Sequence, residues 1–524
     1  MPWVVVATAH AAGLAPAADW DAARAAHLLR RAGFGGTPAQ VSHLASLSLS
    51  AAVDELIDYA GTPQTDPDFR CASGMDRGAL RRAQLGRSEE KRQEVRQRLE
   101  RFDRLQIEEL RAWWVRRMIV TPRPLEERMT LFWHGHFTSG YREVRSASMM
   151  WEQNELFRKH ALDDFRTLLV AVSHNPAMLR YLDNASNRKE APNENYAREL
   201  LELFTLGEGN YTEADIKAAA RALTGWTLRG TEFRNAPRIH DDGEKTFLGH
   251  TGNFDGNDII NIILEQPAAA RFLARKLLVG FVRDDPSDAD IEALAGVIRA
   301  EKFNIREVLR TLFKSEMFYA ADAQASLVKS PVDLVVGTFR VLELPPDDMY
   351  GAVRALRGMG QDLFQPPNVK GWDGGRKWIS AATIYARYNF ASAMLAGTGS
   401  RLADNMMGPG ADPGRLQRHR RDLLHDLDDY PGLEVPDVQV EPQYQPAFNP
   451  ATILQREHLA TADRALNHFV ERILPLRVDP RQRNFLRVLL VQNGARFDPD
   501  EPATMARVVS LVNALLTMPE YQVK

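Results

Sequence analysis

Cysteine is nearly absent: Cys71 is the only one in 524 residues, which excludes an intrachain disulfide, a cysteine-based zinc site and a Cys-x-x-Cys-His haem attachment. An excess of one charge is absent too. The 66 basic and 69 acidic side chains leave a formal charge of -3, so no global field draws the chain to nucleic acid or to an anionic membrane. The arginine-rich stretch from Arg77 to Arg117 is interleaved with Glu89, Glu90, Glu94, Glu100, Asp103, Glu108 and Glu109. Mixed signs at helical spacing make a solvated, salt-bridged face and not a nucleic-acid surface. No apolar run reaches the roughly 18 residues of a spanning helix, so no transmembrane segment is expected. Also missing are the Gly-x-x-x-x-Gly-Lys-Ser/Thr phosphate loop, the Gly-x-Ser-x-Gly elbow, His-Glu-x-x-His and a Gly-x-Gly-x-x-Gly dinucleotide motif after a strand.

What is present is ordinary globular material, 44% hydrophobic and 26% charged, in a length that suits roughly two to four domains. The first eleven residues carry a short apolar run and small residues, without a basic start or a full-length apolar core. They read either as a truncated or mis-started export signal, implying a periplasmic or extracellular protein, or as a disordered cytoplasmic N-terminus.

Helical signals dominate the rest. Thr37-Pro38 reads as an N-cap followed by a first-turn proline, and residues 79 to 118 read as one or two long charged helices. Pro124 opens a helix leading to His134, and further helices are expected over 163–182 and 194–206. Thr212-Glu213-Ala214-Asp215 resembles a capping box. Only the stretch 226–249 has strand texture, with Asp242-Gly243 as the turn of one small β-hairpin. The expected fold is mainly α, a multi-helical array with that single hairpin. Its segments are a signal-like or disordered 1–18, an N-terminal helical region 19–122 and a central helical core 123–400. A Pro/Asp-rich insertion or linker at 401–450 and a C-terminal helical segment 451–524 that packs on the core complete it.

Four places could carry chemistry. In Trp133-His134-Gly135-His136-Phe137 the two histidines would point the same way in a loop, which Gly135 favours, and could chelate one divalent metal. On a continuous helix they would diverge by about 200°, and imidazoles at a helix C-terminus also have a structural use in facing the dipole. His240 and Asp241 are the candidate additional metal ligands. On the helix from Glu194, residues Glu194, Arg198, Glu202 and Thr205 fall within about 80° of one another. They form either an exposed ion-pair ladder or a cluster facing a cleft, with Arg198 keeping Glu194 and Glu202 ionised for catalysis. Last, the loop from Gln365 to Gly375 combines prolines and glycines with Trp372 and Asp373, as a binding loop or an architectural turn.

These segments resemble, in order, the bacterial family catalogued as domain of unknown function 1800. The matching stretches are Trp-His-Gly-His-Phe from 133, Asn-Glu-Asn-Tyr-Ala-Arg-Glu-Leu-Leu-Glu-Leu-Phe-Thr-Leu-Gly from 193, Leu-Thr-Gly-Trp from 223 and His-Asp-Asp-Gly-Glu-Lys-Thr-Phe-Leu-Gly from 240. Tyr-Thr-Glu-Ala-Asp-Ile from 211, Phe-Leu-Ala-Arg-Lys-Leu from 272, Ser-Pro-Val-Asp from 330 and Pro-Pro-Asn-Val-Lys-Gly-Trp from 366 belong to the same set, which spans from Leu-Leu-Arg-Arg-Ala-Gly-Phe-Gly at 28 to Met-Pro-Glu-Tyr at 518. The resemblance implies no established reaction. It marks Asn193, Glu199 and Lys276 as candidates beside the residues above, and it implies an extracytoplasmic role with a sulfatase-like partner protein. Two departures stand out: the incomplete export signal, and Leu278-Val279 where many members carry a tryptophan.

The resulting expectation is an enzyme, hydrolytic or oxidative, with a polar, metal-binding cleft acting on an extracytoplasmic polymer or surface component. The alternative is a non-catalytic assembly or binding protein acting with the sulfatase-like partner. Convergence of His134, Glu194, Arg198 and His240 on one solvent-reachable cleft would favour the first, and dispersal into separate packed layers would remove it.

Overall fold

Capping chemistry sets many of the helix starts. Thr37 caps Pro38–Ser46 in a capping box completed by Gln40, and Thr212 does the same for Glu213–Ala222 through Asp215; each satisfies amide groups that a helix start leaves open. The computed structural model describes residues 13–64, 69, 88–347, 349–395 and 448–524. Among them, 23 helices and two small antiparallel two-stranded sheets make the fold mainly α. The stretch 1–12 and all but the last three residues of 401–450 lie outside the described residues.

The charged segment expected over 79–118 holds the helix Glu89–Val120, and Pro124 opens the next helix, Pro124–His136. The strand region contains two hairpins, not one. Trp226–Arg229 pairs with Glu232–Asn235, and Lys245–Phe247 pairs with His250–Gly252. Asp242-Gly243 is the turn of neither. The second hairpin turns at Leu248 and Gly249, both at positive φ (46° and 84°), the backbone that a two-residue turn between twisted strands requires. Asp242-Gly243 instead follows an Asx turn in which the Gly243 N–H donates to Asp241.

Buried apolar residues form two clusters. One joins the N-terminal helices to most of the chain between Phe157 and Ala323, and the other joins the long helix Glu89–Val120 to Pro331–Leu342, Met349–Gly358 and the C-terminal helices. Pro124–His136 runs between them, giving Leu125, Met129 and Trp133 to the first and Leu131 to the second. It is buried almost all round, so its polar residues need partners inside the protein. Glu127, fully buried, accepts from Trp114 at 2.9 Å, Arg117 at 2.7 Å and Arg158 at 2.6 Å, which holds its carboxyl below the usual range against the opposing effect of burial. The end of the chain is tied back by the Lys329 N–H to the Gln522 carbonyl and the Lys524 N–H to the Leu327 carbonyl. No helix among the described residues is long and apolar enough to cross a membrane.

Candidate functional site

His134 and His136 lie on the helix Pro124–His136, not in a loop. Two residues apart on a helix, their side chains leave in nearly opposite directions, and their surroundings differ accordingly. The His134 ring packs against Trp114, Phe364 and Trp372, and its Nε2 accepts the Phe364 N–H at 3.1 Å. The His136 ring lies among Phe132, Phe137 and Phe204, and its Nε2 donates to the Phe204 carbonyl at 3.0 Å. Burial pulls both imidazoles down to about 3, helped by Arg111 beside His134 and by Lys276 beside His136. Both are neutral near pH 7, and the expected shared chelate is not formed.

The two bonds do a different job. Phe364 sits at φ 61°, a left-handed conformation that is strained for a bulky residue. His134 holds its N–H, while its carbonyl accepts from the Tyr141 N–H at 2.8 Å. That fixes the entry to the Gln365–Trp372 loop. The middle of the same loop is fastened by the Thr138 hydroxyl, which donates to the Val369 carbonyl, and by a close approach of Gly371 to Gly135. His136, on the other side, satisfies a carbonyl in the last turn of the Glu194 helix, where intrahelical donors have run out.

That helix is α over Asn195–Glu199 and π over Leu200–Thr205. The π turn changes the expected face: Thr205 is buried and bonds the Leu200 carbonyl. Arg198 meets Glu213 at 2.8 Å and Glu194 at 3.4 Å, and the Arg198 and Glu194 side chains are each 37% exposed. Glu202 accepts from the Tyr211 hydroxyl at 3.0 Å. These residues form a surface network, the ion-pair arrangement of the two readings. Asn193 serves the turn before the helix, accepting from the Asn195 N–H at 3.0 Å.

The remaining candidates are held separately. His240 Nδ1 bonds the Thr224 carbonyl at 2.8 Å, and Asp241 accepts from Arg221 at 2.7 and 3.1 Å, which brings its carboxyl down to about 2. Asp373 pairs with Lys377 on the surface, and Trp372 packs edge-on against His134 with its Nε1 buried and unpartnered. His134, His136, His240 and Asp241 are not gathered in one place; among the described residues no three His, Cys, Asp or Glu side chains are grouped to hold a metal ion. His134 is buried on its helix, Glu194 and Arg198 sit in the surface network, and His240 is bonded to Thr224, so the four stand in different surroundings.

An open cleft of about 470 Å³ lies elsewhere, between the start of the Glu194 helix and the Gln365 loop. Asn195 and Glu199 line one wall, Gln365 to Val369 the other, and Arg142, Glu143 and Tyr181 lie between them. Gly140 makes room for this convergence, since a Cβ there would meet Glu143 Oε2 at 2.4 Å and Gln365 Nε2 at 3.2 Å. The Gln365 side chain is fixed by accepting the Arg142 N–H at 2.9 Å. Burial raises the Tyr181 hydroxyl, and the charges of Glu143 and Glu199 raise it further, against a bond with Thr138. Glu199 is itself raised by burial and by Glu202, against the opposing charges of Arg198 and Lys370. A half-buried carboxyl with a raised pKa in a cleft makes Glu199 the candidate acid–base group there. Glu143 and Tyr181 carry no spacing signal that could have drawn attention to them in the sequence.

No curated protein and no solved structure matches the chain. One family profile does, over residues 27–523, a span that takes in the histidine helix and both walls of the cleft. The chain belongs to the family described as a protein of unknown function, DUF1800.

Proposed function

We propose that the chain is a binding protein for a hydroxyl-rich ligand, such as a saccharide segment of an extracytoplasmic polymer or surface component, held in the cleft over Gly140. One observation carries the reading: two sequence motifs far apart in the chain form facing walls of one polar cleft, and each is bonded to a histidine of the same helix. The volume suits a small-molecule fragment. The lining suits hydroxyls, because carboxylates accept, Asn195 and Asn368 both donate and accept, Arg142 donates and the Tyr181 ring offers a flat face. An apolar ligand would strip water from these groups without replacing its hydrogen bonds. A sulfatase-like partner, implied by the family resemblance, would act on the ligand presented here. The reading assigns no metal, since the histidine Nε2 atoms are committed to Phe364 and Phe204.

A second reading, hydrolysis, is favoured by Glu199. A carboxyl raised by burial and by a neighbouring carboxylate keeps its proton at higher pH and can act as general acid. Glu143, which lines the same cleft, is then the candidate second carboxylate. A panel of neutral and amine-bearing oligosaccharides, screened against the full chain and an Asn195→Trp variant that fills the exposed wall, tests the binding site. Binding by the wild type and its loss in Asn195→Trp, with thermal stability kept, is the expected result. No binding on the panel, or equal binding by the variant, removes the proposal. Glu199→Gln separates the readings: it retains binding in both and abolishes release of new reducing ends if the protein is a hydrolase.

A further inference from the structure

Away from the cleft, cationic side chains gather inside the protein in excess over carboxylates. Arg30 and Arg31 come from the last turn of the helix Ala22–Ala32, Arg128 from Pro124–His136, Arg387 from Ala381–Leu395, and Lys329 and Lys524 from the segments that clasp at the chain's end. All but Arg30 are at most 6% exposed. They act on one another electrostatically, and the side-chain carboxylates that act on them are Asp333 and Asp284. Asp333 is taken up by Arg128 and Lys524, while Asp284 stands at the exposed rim beside Gly375.

The donors left over are specific. Arg31 uses Nη2 on the Ala323 carbonyl and the Ser326 hydroxyl, but its Nε and Nη1 are buried without a partner. Arg387 donates through Nη1 to Gln522 and through Nη2 to the Lys329 carbonyl, leaving Nε open, and Arg30 Nε is also open. Lys329 Nζ lies over the Tyr521 ring at 3.4 Å. A buried arginine with a purely structural role looks different in this same protein. Arg340 bonds the Gly35 and Ile119 carbonyls and Gln40 through all three nitrogens. Unpartnered buried donors are costly, and unpaired buried charge more so.

We propose that this cluster is a binding site for a tetrahedral oxyanion, a phosphate or sulfate group, held by Arg30, Arg31, Lys329 and Arg387. Such a group offers several acceptor oxygens and the charge the cluster lacks, and arginine is well suited to it. The lysines respond consistently. Burial, with Arg30, Arg387 and Lys524 nearby and only Asp333 opposing, lowers Lys329 far below its ordinary value; burial, with Arg128 and Arg31, brings Lys524 down to about 7. The arginines stay charged at neutral pH, Arg31 at about 9 and Arg387 at about 10. An anion would restore charge to the lysines. The site is independent of the cleft, and its failure would leave the binding reading intact.

The test is thermal unfolding of the full chain in sodium phosphate, sodium sulfate and a sugar phosphate, each against chloride at equal ionic strength. At a hundredfold excess over the dissociation constant the midpoint should rise by about 2 °C for a chain of this size. A rise with the inorganic ions alone identifies a free anion, and a rise with the sugar phosphate as well identifies a group carried on a larger ligand. Lys329→Met should lose the rise, and Arg30→Gln, at the less buried edge and safer for folding, should lose it too. No difference from chloride in the wild type, or a full rise retained in Arg30→Gln, overturns the site.

Discussion

His134 and His136 each hold one backbone group that has no other partner available, and each does so as a neutral imidazole. A proton on His134 would set a second N–H against that of Phe364. A proton on His136 would charge a ring enclosed by Phe132, Phe137, Phe204 and Phe272. The stability consequence has a definite sign. The unfolded chain takes up protons near the ordinary histidine value of 6.5, whereas the folded one resists until about 3. Stability is therefore lost as pH falls from 6.5 toward 3, by up to roughly 1.4 kcal/mol per pH unit for each histidine. Urea unfolding at pH 7, 5.5 and 4.5 measures this. A His134→Gln variant, whose amide oxygen can accept the Phe364 N–H but does not titrate, should show a shallower decline than the wild type; an identical decline would show that His134 is not a source of it.

At the scale of elements, the join between the histidine helix and the Gln365–Trp372 loop rests on two glycines with opposite demands. Gly371 is at φ 81°, and a Cβ there would lie 2.3 Å from the Gly135 carbonyl oxygen. Gly371→Ala should destabilise the protein by more than the roughly 1–2 kcal/mol of left-handed backbone strain alone, and the loop amides should lose hydrogen-exchange protection first. Gly135 is helical, and the nearest atom to an added Cβ is Trp372 Cε3 at 4.0 Å. Gly135→Ala should be neutral or stabilising by up to about 1 kcal/mol, read by the same unfolding curves; clear destabilisation would show that the helix and loop pack more tightly there than this geometry allows. The contrast explains what sequence could and could not convey. Gly135 between two histidines suggests a loop, but the helix continues because it is packed on every side, which a local motif does not reveal. Thr37, Thr212 and Pro124 mark their helix starts correctly because caps are local chemistry. The π turn at Leu200–Thr205, which ends beside the His136 bond, and the true hairpin turns are set by tertiary packing and by the register of pairing, so the even helical wheel and Asp242-Gly243 both mislead. Among the residues lining the cleft, Glu199 and the Pro366-Pro367 loop are legible as motifs. Glu143 and Tyr181 are not, since only folding brings them to Gly140.

For the whole molecule, the two apolar clusters share a helix, and this bears on how the protein unfolds. Pro124–His136 contributes to both clusters, and buried Glu127 on it binds Arg117 of the long helix and Arg158 of Ala147–Lys159. Removing either neighbour would leave the buried Glu127 carboxylate short of one of its two arginines, a penalty of several kcal/mol. The clusters are thus expected to unfold together despite the length of the chain. The C-terminal clasp allows a test, because its hydrogen bonds and ion pair are made to the second cluster's helices and to the segment Leu327–Asp333 that leads into them. Tyr521 is buried and its hydroxyl meets Thr338 at 2.8 Å, Lys524 binds Asp333, and Gln522 accepts from Arg387. Truncation after Met518 removes all three contacts. If the clusters are coupled through the histidine helix, calorimetry of the truncated chain will show one transition at a lower midpoint, and the first cluster will lose exchange protection along with the second. Two resolved transitions, with only one displaced, would mean that the shared helix divides its stability between separate units and that the cleft, whose histidine ties reach into both, can be opened by melting one of them alone.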